Sequence, residues 1–185
     1  MQRVAPFDIA GRLTEARTRM AAQLMRLDPF TFWILPCDGA GDFVVVGTTG
    51  AFLVAAEVST GTADVHRGRL RVDGASLEGH RRLRAEAKRL ESILSKAAVP
   101  LHVEPVICLT HAAAGAPRAD RKIRVVQVRD LAKEIAGRPR SLPRLRAQRA
   151  ARALGMRLDG DEKRLFIGAA DPQEVTPQPI VEWRV

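Results

Sequence analysis

A chain of 185 residues with 46% hydrophobic content is long enough for one domain with a substantial core and a short appendage. Its formal charge of +9 favours a polyanionic partner through long-range attraction. No segment reaches the roughly 18 uninterrupted apolar residues of a membrane span and the N-terminus lacks a signal-peptide pattern, so we expect a cytoplasmic protein without membrane contact.

The first predicted element is an amphipathic helix over residues 9–27, where apolar side chains recur at steps of three and four. Asp8 is the predicted N-cap of this helix. Residues 31–36 then predict a strand, which enters a glycine-rich turn at residues 38–41.

Residues 42–57 predict a β-hairpin whose two strands are joined by the turn at residues 47–50. The apolar residues on both sides of this turn suit strands that are buried on both faces. Asp42 stands at the start of the hairpin and Glu57 at its end, so the two carboxylates are expected at the same end of neighbouring strands.

The remaining elements follow from the same patterns. A small hairpin is predicted over residues 65–72, and a second helix with a regular apolar stripe is predicted over residues 83–97, before Pro100. Pro143 and Gly155 mark the expected start and end of the last helix. The other predicted elements are buried strands at 101–110 and 123–128 and short helices at 130–136 and 143–154.

The C-terminal 30 residues predict short strands and irregular structure. Residues 156–158 and 164–167 predict two short strands around a turn at 159–161. Three prolines then discourage regular structure, and Trp183 is a candidate packing anchor.

The two cysteines, Cys37 and Cys108, stand at the ends of predicted strands. Neither has a second cysteine or a histidine at the spacing of metal ligands. We interpret both as reduced thiols of the core.

The hairpin resembles the NERD (nuclease-related domain) family of the restriction-endonuclease-like superfamily, which carries a pattern close to D-H-V-V-V-G-P-x-G-V-F-V-I-(D/E)-x-K. Asp42 falls on the first acidic position of this pattern. Gly47 and Gly50 fall on its turn, and Phe52 falls on its aromatic position.

This resemblance implies an α/β fold with a mixed central sheet flanked by helices, in the order α-β-β-β-(hairpin)-α-β-β-α. It implies that residues 1–155 form the nuclease-fold domain and that residues 156–185 form a C-terminal extension. The order of the predicted elements agrees with both expectations.

The resemblance also implies a Mg²⁺ or Mn²⁺ site at Asp42, but two family positions differ in this chain. Ala55 stands where the family has Asp or Glu, and Glu57 stands where it has Lys. Mg²⁺ prefers oxygen ligands and usually takes one or two carboxylates, whereas alanine supplies no ligand. In the family the lysine is thought to orient or deprotonate the attacking water, which Glu57 could do only as a general base.

Glu15 is similar in position to a glutamate in the first helix of the family. If the chain is active, Asp42, Glu57 and Glu15 are the candidate catalytic residues, and Asp42 and Glu57 are the candidate metal ligands. Each carboxylate also has a structural alternative. Glu15 can pair with Arg19 at i,i+4, Asp42 can cap the preceding turn, and Glu57 can pair with a nearby arginine.

Basic side chains concentrate on the outer faces of the second and the last predicted helix. The candidate nucleic-acid contacts are Arg81, Arg84, Lys88, Arg146, Arg149 and Arg152. Such a surface can bind a phosphate backbone, with an affinity that falls as the salt concentration rises. The alternative is two solvated helix faces. Because tyrosine is absent and aromatic residues make up 4% of the chain, duplex backbone contact is favoured over base stacking.

Two main functions are therefore open. The first is a NERD-like domain that has lost nuclease activity, needs no cofactor and binds DNA or a protein partner through its basic surface. The alternative is a divergent DNA nuclease that depends on Mg²⁺ or Mn²⁺ and uses Asp42 and Glu57. A third possibility is a structural protein-interaction module whose charge is incidental.

Overall fold

Apolar residues at helical and strand spacing form helices on both sides of a central sheet in the computed structural model, which describes residues 6–66, 69–76, 80–113 and 123–158. The described helices are α1 (Pro6–Leu24), α2 (His80–Lys96), α3 (Leu131–Ala136) and α4 (Arg144–Leu158). The described strands are β1 (Phe32–Pro36), β2 (Phe43–Gly47), β3 (Gly50–Glu57), β4 (Gly61–His66), β5 (Arg69–Val72), β6 (Ala75–Ser76), β7 (Val103–Leu109), β8 (Ala112–Ala113) and β9 (Arg124–Gln127).

The central sheet is mixed and has the strand order β1-β2-β3-β7-β9. Strands β1, β2 and β3 form an antiparallel meander, whereas β3, β7 and β9 are parallel. Helix α2 lies in the connection from β3 to β7, because parallel neighbours need a crossover. The short strands β6, β5, β4 and β8 form a second sheet in that order.

Each face of the central sheet has its own apolar core. On one face, the side chains of α2 and α4, such as Leu90 and Leu154, pack on alternate residues of β1, β2 and β3. On the other face, Met20 of α1 and Leu131 of α3 pack on the intervening residues. The period of two along each strand produces this division. Within the described chain, none of the helices is long and apolar enough to cross a membrane.

The predicted α/β class, with a mixed sheet flanked by helices, is confirmed. The predicted small hairpin is also confirmed, since β4 and β5 pair in antiparallel register with His66 opposite Arg69. The hairpin begins earlier than predicted, at Gly61. The predicted strands at 101–110 and 123–128 correspond to β7 and β9.

Two details of the helix ends are corrected by the structure. Helix α1 begins at Pro6, so the prediction of Asp8 as N-cap is wrong. Proline is suited to the first turn, because its fixed φ is helical and its missing N–H has no partner there.

At the other end of the chain, residues 156–158 were predicted as a strand, but they continue α4 to Leu158. Gly155 does not end this helix, since it is buried inside it beside Leu154, against the core. The burial of the helix face there outweighs the weak helical preference of glycine. The predicted turn at 159–161, the strand at 164–167 and Trp183 lie outside the described residues.

The turn between β2 and β3 requires glycine at both ends. Gly47 lies opposite Gly50, which leaves Thr48 and Thr49 as a two-residue loop. Gly50 has a φ of 138°, a conformation that L side chains rarely adopt. A Cβ atom at Gly47 would lie 2.1 Å from Cδ1 of Phe32, whose ring is buried.

We therefore expect Gly47→Ala to lower the free energy of unfolding by about 1–3 kcal/mol through overpacking against Phe32. Gly11→Ala is the matched control, because a Cβ atom at this exposed position of α1 meets nothing within 4 Å. Alanine should stabilise α1 there by about 0.5–1 kcal/mol. Urea unfolding of the three proteins measures both effects, and equal midpoints would contradict the packing argument.

A cluster of two arginines around Glu104 ties the segment after α3 to the sheet. Arg138 donates two hydrogen bonds to the Glu104 carboxylate, at 2.5 and 2.7 Å, and Arg124 of β9 donates a third at 3.0 Å. The Arg138 guanidinium also lies 5.3 Å from the centre of the Phe52 ring. Burial alone would raise the pKa of Glu104, but the hydrogen bonds from Arg138 and Arg124 outweigh it and lower the pKa.

Because the pKa of Glu104 is lowered in the folded state, its contribution to stability is present above its ordinary value of 4.5 and is lost as the pH falls through the lowered pKa. We expect Glu104→Gln to lower the free energy of unfolding by about 1–2 kcal/mol at neutral pH. The difference from the unaltered protein should shrink in acid, where both side chains are neutral. Chemical unfolding over a pH series tests this, and a difference that is independent of pH would contradict it.

Candidate functional site

The predicted site residues meet at one end of the central sheet. Asp42 directly precedes β2, and Glu57 is the last residue of β3. Thr110 and His111 follow β7, the parallel neighbour of β3. Since the carboxyl ends of parallel neighbours lie at the same edge, these residues come together although the chain separates them.

The Asp42 carboxylate is 8% exposed and has partners at both oxygens. Oδ1 accepts a hydrogen bond from Nε of Arg17 on α1 at 2.5 Å. Oδ2 accepts one at 2.6 Å from the backbone N–H of Ala56, which lies beyond the last residue pair of β2 and β3. The side chain of Asp42 therefore extends the hydrogen bonding of the hairpin beyond its last residue pair. Arg17 compensates the negative charge of the carboxylate. The side chain was alternatively predicted to cap the preceding turn, but its two oxygens bind α1 and the end of β3 instead.

Position 55 lies next to the Asp42 carboxylate, whose Oδ2 binds the N–H of the following residue, Ala56. Ala55 packs on the core formed with α2 and α4, whereas its neighbour Ala56 packs on the core formed with α1 and α3. The Asp42 carboxylate lies on the α1 side, where it binds Arg17 and helps to raise the pKa of the Cys108 thiol. The structure therefore places position 55 beside Asp42, but the alanine there supplies no oxygen ligand.

Glu57 organises the chain that follows β3. Its Oε1 accepts hydrogen bonds from the backbone N–H of Ser59 at 2.9 Å and from the Ser59 hydroxyl at 2.5 Å. Its backbone carbonyl accepts from the N–H and the hydroxyl of Thr110 at 3.2 and 2.9 Å. These contacts give the carboxylate a role in shaping the turn and join the ends of β3 and β7.

Glu15 reaches the same end of the sheet from α1. Its Oε1 accepts a hydrogen bond from Arg19 at 2.6 Å, which confirms the predicted i,i+4 pair. Arg19 also donates to the carbonyl of Thr110 at 3.3 Å, and the other Glu15 oxygen lies 3.6 Å from Nε2 of His111. Sequence analysis missed Thr110 and His111, although their position directly after a buried strand was a usable signal.

The donor set at this end does not fit Mg²⁺ or Mn²⁺. Arg17 is bonded to the Asp42 carboxylate, and Ala55 supplies no oxygen. Within the residues that the structure describes, no three His, Cys, Asp or Glu side chains are grouped so that they could hold a metal ion. A hard divalent cation needs several oxygen ligands at once, so Asp42 would first have to part from Arg17.

Both cysteines are buried free thiols, as predicted, and they lie in different cores. Burial, with a smaller contribution from Asp42, raises the pKa of Cys108 to about 12. Burial also raises the pKa of Cys37, even though the backbone N–H of Gly39 favours the thiolate. Both side chains are therefore neutral thiols at physiological pH.

We expect neither thiol of the folded protein to react readily with Ellman's reagent near neutral pH, because the thiolate is the reactive form and both sulfurs are buried. Denaturation should expose both cysteines of the chain to the reagent. The absorbance change before and after addition of guanidinium measures this. Rapid reaction of the folded protein would contradict the burial of at least one thiol.

The basic residues predicted to contact nucleic acid are on α2 and α4, which pack on the same face of the sheet. Five of the six side chains are exposed and Arg84 is partly buried; the exposed ones are Arg81, Lys88, Arg146, Arg149 and Arg152. Arg146 also donates a hydrogen bond to the carbonyl of Pro100 at 2.9 Å. Each step of three residues turns about 300° around a helix, so the three arginines of α4 spread over a broad surface and do not form one narrow stripe.

Comparison with known proteins gives no relative from which a role could be transferred. No protein-family model, no curated protein and no solved structure matches the chain.

Proposed function

We propose that this protein is a nuclease-related domain of the restriction-endonuclease-like type that has lost metal-dependent cleavage and binds duplex DNA. The order of helices and strands supports the proposed fold, since it runs α-β-β-β, small hairpin, α, β, β and then two helices, with the two-residue strands β6 and β8 as additions. The hairpin supports it too. Asp42 stands at the start of β2, Gly47 and Gly50 form the turn, and Phe52 is buried in β3.

The contact between Arg17 and Asp42 is the observation that carries the loss of cleavage. A guanidinium bonded to the carboxylate supplies the positive charge that a metal ion would supply, and it does so without ligand positions for water or phosphate. Ala55 removes the second carboxylate of the family pattern. The carboxylate that the resemblance assigns to catalysis is in this way used for stability.

The proposed DNA contacts are the exposed arginines and lysine of α2 and α4. The high net charge of the chain supports attraction to the DNA backbone, and long Arg side chains can donate two hydrogen bonds to one phosphate. Backbone recognition needs no aromatic platform, which suits a chain with few aromatic residues. The two free thiols support the cytoplasm as the proposed location, because disulfides are rare there.

One observation favours the alternative, a divergent nuclease. Glu15, Asp42 and Glu57 all lie at the same end of the sheet, and His111 adds a fourth titratable side chain there. Cleavage by this set would require Arg17 to leave Asp42 so that Mg²⁺ or Mn²⁺ could bind.

A plasmid assay tests both proposals. The protein is incubated with supercoiled DNA over a salt series, with EDTA, Mg²⁺ or Mn²⁺, and the products are separated on one gel. We expect a mobility shift that weakens as salt rises and is the same in EDTA, without nicking. Metal-dependent nicking that Asp42→Ala removes would establish the nuclease instead. Absence of both nicking and shift would refute DNA binding and direct attention to a protein partner.

A further inference from the structure

A groove of about 550 Å³ opens at the opposite end of β2 from Asp42. It lies between the C-terminal end of α1, the turn at Thr48 and Thr49, and α3. At about 3.4 Å per residue, the six steps from Asp42 to Thr48 place it roughly 20 Å from the Asp42 carboxylate. It is also separate from the α2 and α4 surface, because α1 and α3 cover the other face of the sheet.

The charged side chains that line the groove are mainly cationic. Four basic residues face one acid, Asp28; they are Arg26, Arg129, Lys133 and Arg140. The carboxylate of Asp28 already accepts hydrogen bonds from the N–H of Phe30 at 3.0 Å and from the hydroxyl of Thr31 at 2.9 Å. All four basic side chains are exposed. Arg129 also pairs with Asp130 at 3.5 Å and Arg26 donates to Gln23 at 3.2 Å, so a ligand would share these two guanidinium groups with their neighbours.

A buried hydroxyl in the lining has no partner among the described residues. Thr49 is 8% exposed, and its Oγ1 has no hydrogen bond to any described group. Buried polar atoms of native proteins nearly always have a partner. Oγ1 of Thr49 exposes less than 1 Å² of surface, so its side chain has to rotate before the hydroxyl can reach a ligand in the groove. An oxygen atom of an anion would accept the hydrogen bond of this hydroxyl.

The lining is held rigidly by backbone hydrogen bonds. The carbonyl of Thr48 accepts from the N–H groups of Ser141 and Leu142, both at 2.9 Å. The N–H of Thr48 donates to the carbonyl of Thr31 at 3.3 Å. These bonds fix the turn relative to α1 and to the segment that carries Arg140, so the groups that would contact an anion are placed before it binds.

We propose that this groove binds a ligand that carries a phosphate group. Several cations and a hydroxyl around one space match a group with two or more negative charges and several acceptor oxygens. The volume lies in the range of small-molecule sites, about 300–1,000 Å³, and exceeds what a phosphate ion alone would fill. Leu27, Phe32 and Ala136 add apolar surface for the organic part of the ligand.

The phosphate can belong to a free compound, such as a nucleotide, or to a nucleic-acid backbone. Amide NMR spectra of the whole chain, recorded during titration with pyrophosphate, with AMP and with a short DNA duplex, distinguish these sources. Sodium citrate is the control for charge without phosphate. We expect pyrophosphate and AMP to shift the signals of Thr48, Thr49 and Lys133.

Three variants connect the binding to the groove. Lys133→Glu should weaken pyrophosphate binding by about tenfold or more, since it replaces an attraction by a repulsion. Thr49→Val keeps the shape but removes the orphan hydroxyl, and it should weaken binding by about threefold to tenfold. Arg149→Glu changes the net charge equally on the exposed face of α4 and should leave pyrophosphate binding unchanged.

Several outcomes would overturn the proposal. These are the absence of shifts of the Thr48, Thr49 and Lys133 signals with all three phosphate probes, equal binding of citrate, or equal weakening of pyrophosphate binding by Lys133→Glu and Arg149→Glu. Shifts of the Thr48, Thr49 and Lys133 signals with the duplex alone would keep the phosphate chemistry and assign the groove to a nucleic-acid backbone. Because Arg149→Glu perturbs only the proposed DNA surface, failure of DNA binding and failure of the groove can be told apart.

Discussion

Replacing Asp42 by alanine is expected to lower the free energy of unfolding by about 2 kcal/mol. The change leaves the backbone N–H of Ala56 without an acceptor and removes the partner of Arg17. The Asp42 side chain is only 8% exposed, so water cannot readily replace its hydrogen bonds in the variant. Urea unfolding in EDTA measures the loss.

Two further variants separate the parts of this contact. Asp42→Asn retains an acceptor for the N–H of Ala56, so we expect it to lower the free energy of unfolding by about half as much as Asp42→Ala. A double-mutant cycle with Arg17→Ala should give a coupling of about 1 kcal/mol, because Arg17 is 48% exposed and water screens the pair.

The same variants decide between a structural and a catalytic Asp42. A metal ligand would make the unfolding temperature of the unaltered protein rise with Mn²⁺, and Asp42→Ala would abolish that rise. We expect no such rise in either protein, because Arg17 holds the carboxylate. A rise confined to the unaltered protein would refute the structural role.

Reversing the charge of Arg146, Arg149 and Arg152 to glutamate is expected to weaken duplex binding by about 100-fold at low salt. Three lost contacts of about 1 kcal/mol each give this factor for exposed side chains. The slope of log affinity against log salt should also fall by about three, since each phosphate contact releases nearly one counterion. Fluorescence anisotropy with a labelled duplex measures both quantities.

The matched control reverses Arg26, Arg129 and Arg140, which are exposed around the groove at α1 and α3. It changes the net charge by the same amount on the other face of the sheet. Equal weakening by both triple variants would mean that net charge, and not the α4 surface, governs binding. Weakening by the control alone would move the DNA contacts to the groove.

Most of the fold could be predicted because its elements are encoded by local patterns. The stripe through Leu83 and Leu94 predicted α2, and both residues are fully or nearly fully buried. The glycines at 47 and 50 predicted the turn between β2 and β3. The errors lie at helix ends, at Asp8 and Gly155, where competing local signals differ little in free energy.

The candidate site could be predicted only as a set of residue types. Asp42 and Glu57 were expected at the same end of neighbouring strands, and the structure has them there, but the sequence did not indicate their partners. Arg17 lies 25 residues from Asp42 along the chain, so no periodicity or motif relates the two.

By itself, the sequence determined the α/β class, the turn of the hairpin and the alanine at position 55, because periodicity, turn chemistry and residue identity are properties of the chain. Only the tertiary structure decided that Arg17 neutralises Asp42 and that four basic residues line the same groove as Thr49. Both arrangements join segments that are distant in the chain. The energy of such contacts depends on distance and burial in space, which local sequence patterns do not specify.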